Sequence, residues 1–152
     1  MADLTNQLRV RFVTPERTLF EREAASVELP SKTGYFEVLY GHAPLVAELG
    51  AGDVIVHGSA NTESGAASSA LPAGDLRYNV SWGFVEVLGD RVTILASDAL
   101  KPEEIDVKRA QEQLARGNKQ WSEAGESADA YAEALRVISE AEAKLASASE
   151  KH

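Results

Sequence analysis

The spacing of the hydrophobic residues changes near residue 100 and divides the chain into two kinds of structure. Before the change, apolar and polar residues alternate in short runs that Gly, Pro and Asp interrupt, as in Val85-Glu86-Val87. A period of two with many β-branched residues places one face of each run in a core, which is typical of antiparallel strands. The pattern predicts strands at residues 8–13, 17–21, 25–29, 35–39, 45–49, 53–57, 76–81, 83–88 and 91–96.

Turn-forming residues separate these strands. Leu88-Gly89-Asp90-Arg91 is typical of a tight hairpin, and Gly50-Ala51-Gly52-Asp53 supplies residues that tolerate a positive φ. Many short strands at close spacing predict an all-β sandwich, or flattened barrel, over residues 1–98. Within it, residues 58–74 are rich in Gly, Ser and Ala, with Leu71 as their large apolar residue. Such a composition buries too little area to offset its ordering entropy, so we expect a mobile surface loop there.

After the change, Ala, Glu, Lys and Leu dominate and apolar residues recur three and four positions apart, the spacing of amphipathic helices. Pro102 and the two glutamates after it form a helix-start signal, because proline suits the first helical position and carboxylates suit the positive end of the helix dipole. We predict helices over residues 103–123 and 128–148, paired as an antiparallel α-helical hairpin within residues 99–152. The predicted apolar stripes are Val107, Ala110, Leu114, Gly117 and Trp121, then Ala128, Tyr131, Leu135, Ile138, Glu142 and Leu145.

The composition narrows the classes of function. The chain has 152 residues, a formal net charge of −9 and no cysteine. Nucleic acid is therefore an unfavourable partner, because binding a polyphosphate needs clustered Lys and Arg, and disulfides and thiolate–metal sites are excluded. No apolar run approaches the roughly 20 residues that cross a bilayer, and residues 1–5 lack the features of a signal peptide. We expect any association with a membrane to go through a partner.

The candidate chemistry is sparse. The histidines, His42, His57 and His152, stand apart from other metal-ligating residues on the predicted elements, so no metal site is expected. Ser81 and Asp98 complete a nominal hydrolase triad with His42, but no Gly-x-Ser-x-Gly motif accompanies the serine. No glycine-rich phosphate loop opens a helix either. We therefore expect a protein without enzymatic activity that requires no cofactor.

Four stretches of the sequence carry a family resemblance. The first contains Leu29-Pro30, a glycine turn and the string Gly41-His42-Ala43-Pro44-Leu45. The others are Val13-Thr14-Pro15-Glu16, the two strand motifs between Trp82 and Ala99, and the helix start from Glu103 to Ala110. In this order they resemble the ε subunit of F-type rotary ATP synthases. The resemblance implies an N-terminal β-sandwich and a C-terminal helical hairpin.

The function that the resemblance implies is that of a non-catalytic rotor subunit. In the family, the sandwich couples the γ subunit to the membrane c-ring of a proton-translocating synthase. The hairpin either folds onto the sandwich or extends into the α/β catalytic hexamer and inhibits ATP hydrolysis. The implied location is peripheral, on the cytoplasmic face of the bacterial inner membrane. The alternative from the residues alone is a stand-alone β-sandwich ligand-binding module with a helical oligomerisation hairpin.

The resemblance also suggests which residues contact the c-ring. The family has a glutamate in the turn where this chain has Tyr35, and Glu37 lies two residues on, on the same face of an extended strand. We expect either Glu37, or the exposed Tyr35 and Tyr40, to provide this contact. His42 either joins the contact or only shapes the rigid corner that its neighbours form.

A second motif implies a regulatory nucleotide. Ile105-Asp106-x-x-Arg109-Ala110 matches the Ile/Leu-Asp-x-x-Arg-Ala motif with which some family members bind ATP. On a helix Asp106 and Arg109 are neighbours, and Arg116 lies one heptad further along. ATP is thus expected as a regulatory ligand of Ile105, Asp106, Arg109, Ala110 and Arg116. The alternative is an ordinary ion pair worth a few tenths of a kcal/mol.

The charge of the second helix bears on inhibition. In the family, extended hairpins are described as meeting an acidic segment of the catalytic β subunits through basic residues. Residues 127–148 of this chain hold two bases, Arg136 and Lys144, against four acids. Because a net negative helix gains little from facing carboxylates, we expect weaker inhibition than in members with a basic second helix.

Overall fold

The computed structural model describes residues 6–58 and 75–149. All nine predicted strands are confirmed, with shifts of a few residues at their ends. The strands are β1 (Leu8–Val13), β2 (Thr18–Ala24), β3 (Ser26–Ser31), β4 (Gly34–Leu39), β5 (Leu45–Leu49), β6 (Gly52–His57), β7 (Leu76–Val80), β8 (Gly83–Leu88) and β9 (Arg91–Ala96). The helices are α1 (Val107–Glu123) and α2 (Ala128–Ser149). The expected mobile loop falls on residues 59–74, outside the described residues, and the predicted domain division at residue 98 stays a prediction.

The strands form one curled sheet in the order β2-β1-β9-β8-β5-β3-β6-β7, with β4 paired to β3. β5 meets β3 through the pair Ser31–Leu49, so the sheet turns over at this point. The two halves then face each other across a shared core, in which Phe12 and Ile94 of one half join Leu29 and Val54 of the other. The predicted β-sandwich, followed by a helical pair, is confirmed.

Two details of the sheet differ from the prediction. β1 and β9 run parallel, whereas only antiparallel pairs were expected. β3 also continues through Pro30 to Ser31, beyond the predicted end of the strand. A proline lacks the N–H that a ladder needs, but its carbonyl still accepts a hydrogen bond from the N–H of Gly50 at 3.0 Å.

Gly50-Ala51-Gly52 was predicted to supply positive φ angles, but neither of its glycines has one. The glycines with positive φ lie elsewhere, Gly89 of the predicted β8–β9 hairpin among them. Gly52 is required for close approach instead, because a Cβ there would lie 2.5 Å from the Tyr35 hydroxyl and 2.7 Å from the Cβ of Pro30. The chain crosses between the two layers here, and bulkier residues would push the layers apart.

The first helix begins later than the sequence predicted. Pro102–Glu104 form a single 3₁₀ turn, and α1 starts at Val107 with Asp106 as its N-cap. The Asp106 carboxylate accepts the backbone N–H of Arg109 at 3.1 Å. An aspartate cap satisfies a free amide of the first helical turn, so it fixes the helix start four residues beyond the proline signal.

The hairpin packs through small side chains. Ala110 and Gly117 of α1 are buried, and a Cβ on Gly117 would lie 2.8 Å from Cγ1 of Ile138, so this glycine lets the helices pack closely. On α2 the buried side is turned by about one residue, or ~100°, from the predicted stripe. The buried residues there are Ala134, Val137, Ala141 and Ser147, while the predicted Tyr131 and Leu135 are exposed. The alanine-rich helix holds two competing stripes, and the one with smaller side chains packs inward.

One hydrogen-bonded cluster was not predicted. His57 at the end of β6 lies between two carboxylates, with Nδ1 2.8 Å from Asp75 and Nε2 3.1 Å from Glu28. Asp75 also accepts the backbone N–H of Gly58 at 2.9 Å, so it ties the two ends of the segment between them. Burial of the ring opposes its charged form, but the two carboxylates outweigh burial and raise the pKa of His57 above its ordinary value.

This cluster predicts a pH-dependent stability. Because the folded-state pKa of His57 is raised, the charged ring stabilises the fold fully below the unfolded-state value of 6.5. The stabilisation is lost as the pH rises through the folded-state pKa. In urea unfolding, His57→Gln should be less stable than the parent chain at about pH 5.5 and approach it in mildly alkaline solution.

The control is His42→Gln, since the His42 ring bonds the carbonyl of Ala43 and not a carboxylate. This variant should keep the pH dependence of the parent chain. An equal pH dependence for His57→Gln and the parent would contradict the assignment.

Candidate partner-binding surfaces

The corner between β4 and β5 presents part of the expected c-ring contact. Tyr40 is 48% exposed and the neighbouring Leu39 is 55% exposed. Glu37 is also exposed and shares the outer face of β4 with Leu39. His42 is half-buried, its N–H bonds the carbonyl of Leu39 at 3.0 Å, and its ring bonds the carbonyl of Ala43. His42 therefore holds the shape of the corner, while Tyr40 and Glu37 lie open to a partner.

Tyr35 lies at the other end of β4 and in different surroundings. Its hydroxyl accepts the backbone N–H of Asp53 at 3.0 Å. Together with Asp53 it lines a groove of about 340 Å³, whose opposite wall is the α2 residues Ser139, Glu142, Ala143, Ala146 and Ser147. Five residues of extended strand, roughly 16 Å, separate it from Tyr40. The predicted contact residues therefore divide into a corner and a groove beside the hairpin.

The residues of the nucleotide motif also lie in two different environments. Ile105 and Ala110 are buried at the base of the hairpin, whereas Asp106, Arg109 and Arg116 are exposed. Asp106 does not sit on the helix beside Arg109, as predicted, but caps it through the backbone amide. Arg109 and Arg116 are seven residues apart on α1 and project from one face. Two cations thus share a surface, while the motif's carboxylate is engaged in capping.

The nominal triad does not assemble. Ser81 donates its hydroxyl to Asp98 at 3.1 Å, and the Ser81 amide donates to the other oxygen of the same carboxylate. This pairing braces the β7–β8 corner, and His42 bonds within its own corner. Among the described residues, no group of His, Asp and Glu side chains is arranged to hold a metal ion.

The larger cleft lies between α2 and one end of the sandwich. It measures about 880 Å³, and Lys32, Trp82 and Arg136 are among its lining residues. Most of its charged groups are paired: Arg136 bonds Glu133 and Glu140 on its own helix, and Lys32 bonds Glu48, which also accepts the Trp82 indole N–H. The carboxylate of Asp129 lines the cleft as well. The cleft therefore has no converging unpaired acid and base that would suggest catalysis in the described part of the chain.

A surface on the outer face of β5, β8 and β9 carries exposed apolar side chains around the polar Glu86, which is paired with Val46 and Thr93. We name it the outer apolar face, formed by Val46, Phe84, Leu88 and Leu95, whose exposed fractions run from 43% to 70%. Phe84 and Leu95 are paired across β8 and β9. The edge of the patch continues into a basic strip, where Arg9 of β1 pairs in register with Arg91 of β9. Sequence alternation predicted that these residues face outward, but only the sheet order shows that they adjoin.

Neither of the two helices combines the length and the hydropathy that a membrane crossing requires, within residues 6–58 and 75–149.

Comparisons with known proteins agree with this architecture. Residues 7–102 match the family model of the ATP synthase delta/epsilon chain beta-sandwich domain. An ATP synthase epsilon chain from Koribacter versatilis is 37% identical over 123 residues, which cover 80% of this chain and 77% of the relative. One from Solibacter usitatus is 36% identical over 149 residues, which cover 97% of this chain and the whole of the relative.

Solved structures share the fold. A chain in the cryo-EM structure of the Euglena gracilis mitochondrial ATP synthase OSCP/F1/c-ring superimposes with a TM-score of 0.72 at 19% identity, over 93% of this chain and 81% of that one. A chain of the Tetrahymena thermophila mitochondrial ATP synthase central stalk and c-ring gives a TM-score of 0.52 at 13% identity, over 64% of this chain and 69% of that one. The matched sandwich, together with relatives that align with 80% and 97% of the chain, places this chain in the family of ATP synthase epsilon chains.

Proposed function

We propose that the sandwich of this chain holds the γ subunit on its outer apolar face and the c-ring at its β4–β5 corner, so that the two turn together. As an epsilon chain, the protein is a rotor subunit of ATP synthase, which favours this reading over a stand-alone ligand-binding module. The observation that carries the proposal is the outer apolar face, because large exposed apolar patches mark interaction sites on folded domains.

The γ subunit is assigned to this face because the other outer face is already covered. α2 packs on β6 and β7, whereas Phe84, Leu88 and Leu95 stay open on β8 and β9. Phe84 contacts Trp82 edge-on, with ring centroids 5.1 Å apart, which makes a firm aromatic platform. In the adjoining basic strip Arg9 bonds Glu21 at 2.8 Å, so part of the strip's charge is already compensated.

The c-ring is assigned to the corner because its exposed residues project from a rigid turn. The N–H of His42 and the carbonyl of Leu39 close the turn at 3.0 Å, and Pro44 follows. Tyr40 is presented there at 48% exposure. A tyrosine adds large contact area at little entropic cost, and such residues are common anchors of interfaces.

The subunit is proposed to be non-catalytic and to work in a proton-translocating complex. Membership of the epsilon chain family supports the first point. Its relatives from Koribacter versatilis and Solibacter usitatus support a bacterial type of enzyme. The proposed location is therefore peripheral, on the cytoplasmic face of the bacterial inner membrane, through the c-ring and γ.

ATP is proposed as a regulatory ligand of the helix-start motif. Arg109 and Arg116 project from one face of α1 and can approach the same polyphosphate. The Asp106 carboxylate uses one oxygen to cap the helix, which leaves the other for a ribose or adenine donor. Ile105 and Ala110 pack beneath and hold the helix start in place.

The hairpin is proposed to inhibit hydrolysis only weakly when it extends toward the α/β hexamer. Arg136 is one of the two basic residues of residues 127–148, and it bonds Glu133 and Glu140 of its own helix. Those carboxylates raise the pKa of Arg136, so its charge is permanent but already compensated. An acidic partner gains little from such a helix.

The rotor contacts can be separated by two sets of variants. Leu95→Asp should weaken binding of purified γ by about tenfold or more, because burying a leucine is worth roughly 1.5–3 kcal/mol. It should leave c-ring binding unchanged. Glu37→Ala with Tyr40→Ala should show the reverse pattern, so each set controls for the other. Thr18→Asp on the exposed end of β2 serves as a neutral strand control. Loss of both partners in one set, or of neither, would contradict the assignment of faces.

The nucleotide proposal is tested by titration calorimetry of ATP onto the isolated chain. Heat should appear at or below millimolar ATP, and Arg109→Ala should weaken binding about tenfold, since one charge-assisted contact is worth roughly 1.5–3 kcal/mol. Lys119→Ala removes an exposed cation from the same helix and is the matched control. The absence of heat with the parent chain would remove ATP from the account.

The hairpin proposal is tested by a truncation after Lys101, which keeps the two backbone hydrogen bonds between Leu100 and Asn79. Hydrolysis by the assembled enzyme should rise by about threefold or less, the change that an interaction of roughly 0.6 kcal/mol produces. The same truncation should leave γ binding intact. A many-fold release of hydrolysis would show that the hairpin inhibits strongly.

A further inference from the structure

A continuous run of hydrogen bonds links strand β4 to the linker that carries the hairpin. The linker comprises residues 97–106, between β9 and α1. The Tyr35 hydroxyl accepts the backbone N–H of Asp53 at 3.0 Å, and the Asp53 carboxylate accepts the side-chain amide of Asn79 at 3.1 Å. Asn79 then exchanges two backbone hydrogen bonds with Leu100, at 2.7 and 3.0 Å. We name this run of four residues the β4–linker path.

The central residues of the path are buried, although they lie on the outer face of the sheet. Asp53 is 8% exposed and Asn79 is 2% exposed, while the alternate positions Val54 and Val80 belong to the core. α2 packs on β6 and β7 and so covers this outer face. The second oxygen of Asp53 is 3.4 Å from Arg77. Departure of the hairpin would admit water to these groups and weaken each hydrogen bond, because bonds in water compete with solvent.

Tyr35, the first residue of the path, is 62% exposed and lies beside the hairpin. It lines the groove that α2 closes with Ser147, whose hydroxyl is buried without a hydrogen-bond partner among the described residues. The ring also lies over Gly52, where a Cβ would be 2.5 Å from the tyrosine hydroxyl. The same strand runs on to Glu37 and to the corner at Tyr40. A partner that grips the corner therefore acts on the strand that carries Tyr35.

We propose that the β4–linker path couples the β4–β5 corner to the docking of the hairpin, with the Asn79–Leu100 pair as the fixed end of the linker. This proposal rests on the proposed function, since it takes the c-ring as the partner of the corner. Displacement of Tyr35 frees the Asp53 amide, loosens Asn79 and favours the undocked hairpin. By linkage, a docked hairpin weakens ring binding by the same factor.

The first test measures hairpin docking in the isolated chain. The chain has no cysteine, so spin labels at Glu86→Cys on β8 and Glu126→Cys at the hairpin tip report the distance between sandwich and hairpin. Tyr35→Phe should raise the ratio of undocked to docked chains about threefold to tenfold, the effect of one lost hydrogen bond. Tyr78→Phe removes a tyrosine hydroxyl outside the path and the corner and should leave the distances unchanged. Equal distance distributions in the two variants overturn the proposal.

A double-mutant cycle tests whether the path acts as a unit. The effects of Tyr35→Phe and Asn79→Ala on docking should be clearly less than additive, because either change interrupts the same run of bonds. Additive effects overturn the coupling. Should Asn79→Ala fail to fold, the comparison of Tyr35→Phe with Tyr78→Phe decides the question.

The last test adds purified c-ring to the labelled chain. Ring binding should shift the parent chain toward the longer, undocked distance, and Tyr35→Phe should reduce this shift. A ring that binds without changing the distances overturns the coupling and leaves the proposed function standing. A ring that does not bind contradicts the proposed function, and the isolated-chain comparison then decides whether Tyr35 controls docking.

Discussion

The alternation of side chains along each strand leaves the sandwich with two outer faces, and what covers each face determines the rest of the molecule. The inner faces share one core. On the outside, α2 covers the half that carries Asp53 and Asn79, which are polar and hydrogen-bonded. The half that carries Phe84 and Leu95 stays open and apolar. The chain therefore covers its polar outer half with its own hairpin and leaves the other outer half exposed.

The small side chains of α2 affect two contacts, that of the hairpin with the sandwich and that of α1 with α2. The groove side of α2 presents Ala143, Ala146 and Ser147, and such small side chains remove little apolar area at ~25 cal/mol per Å². Within the hairpin, by contrast, Gly117 brings α1 and α2 so close that a Cβ would meet Ile138 at 2.8 Å. The loss of helix propensity at Gly117, roughly 1 kcal/mol, is offset by this packing. The hairpin thus holds together more firmly than it holds to the sandwich.

The sequence predicted the position of each strand well, but it did not predict which strands lie side by side. Alternation located all nine strands because it depends only on adjacent residues. The parallel pairing of β1 with β9 and the cluster of His57 with Glu28 and Asp75 depend on which strands adjoin, which alternation does not specify. Tyr35 and Glu37 share a face as predicted, but the hydrogen bond from Asp53 to Tyr35 needs the order β4-β3-β6. The helix could start either after Lys101, where Pro102 and two glutamates signal a start, or after Asp106. It starts after Asp106 because aspartate is a better N-cap than lysine.

The charge on α2 suggests that the position of the hairpin depends on its contacts with the sandwich. Arg136 is held by Glu133 and Glu140 within its helix, so extension toward an acidic surface offers little electrostatic gain. A shift between docked and extended states needs a difference in free energy between them. When the extended state gains little, the shift must come from weaker docking. We propose that the contacts that vary docking are those of Asp53, Asn79 and Tyr35, since the strand that carries Tyr35 runs on to the β4–β5 corner.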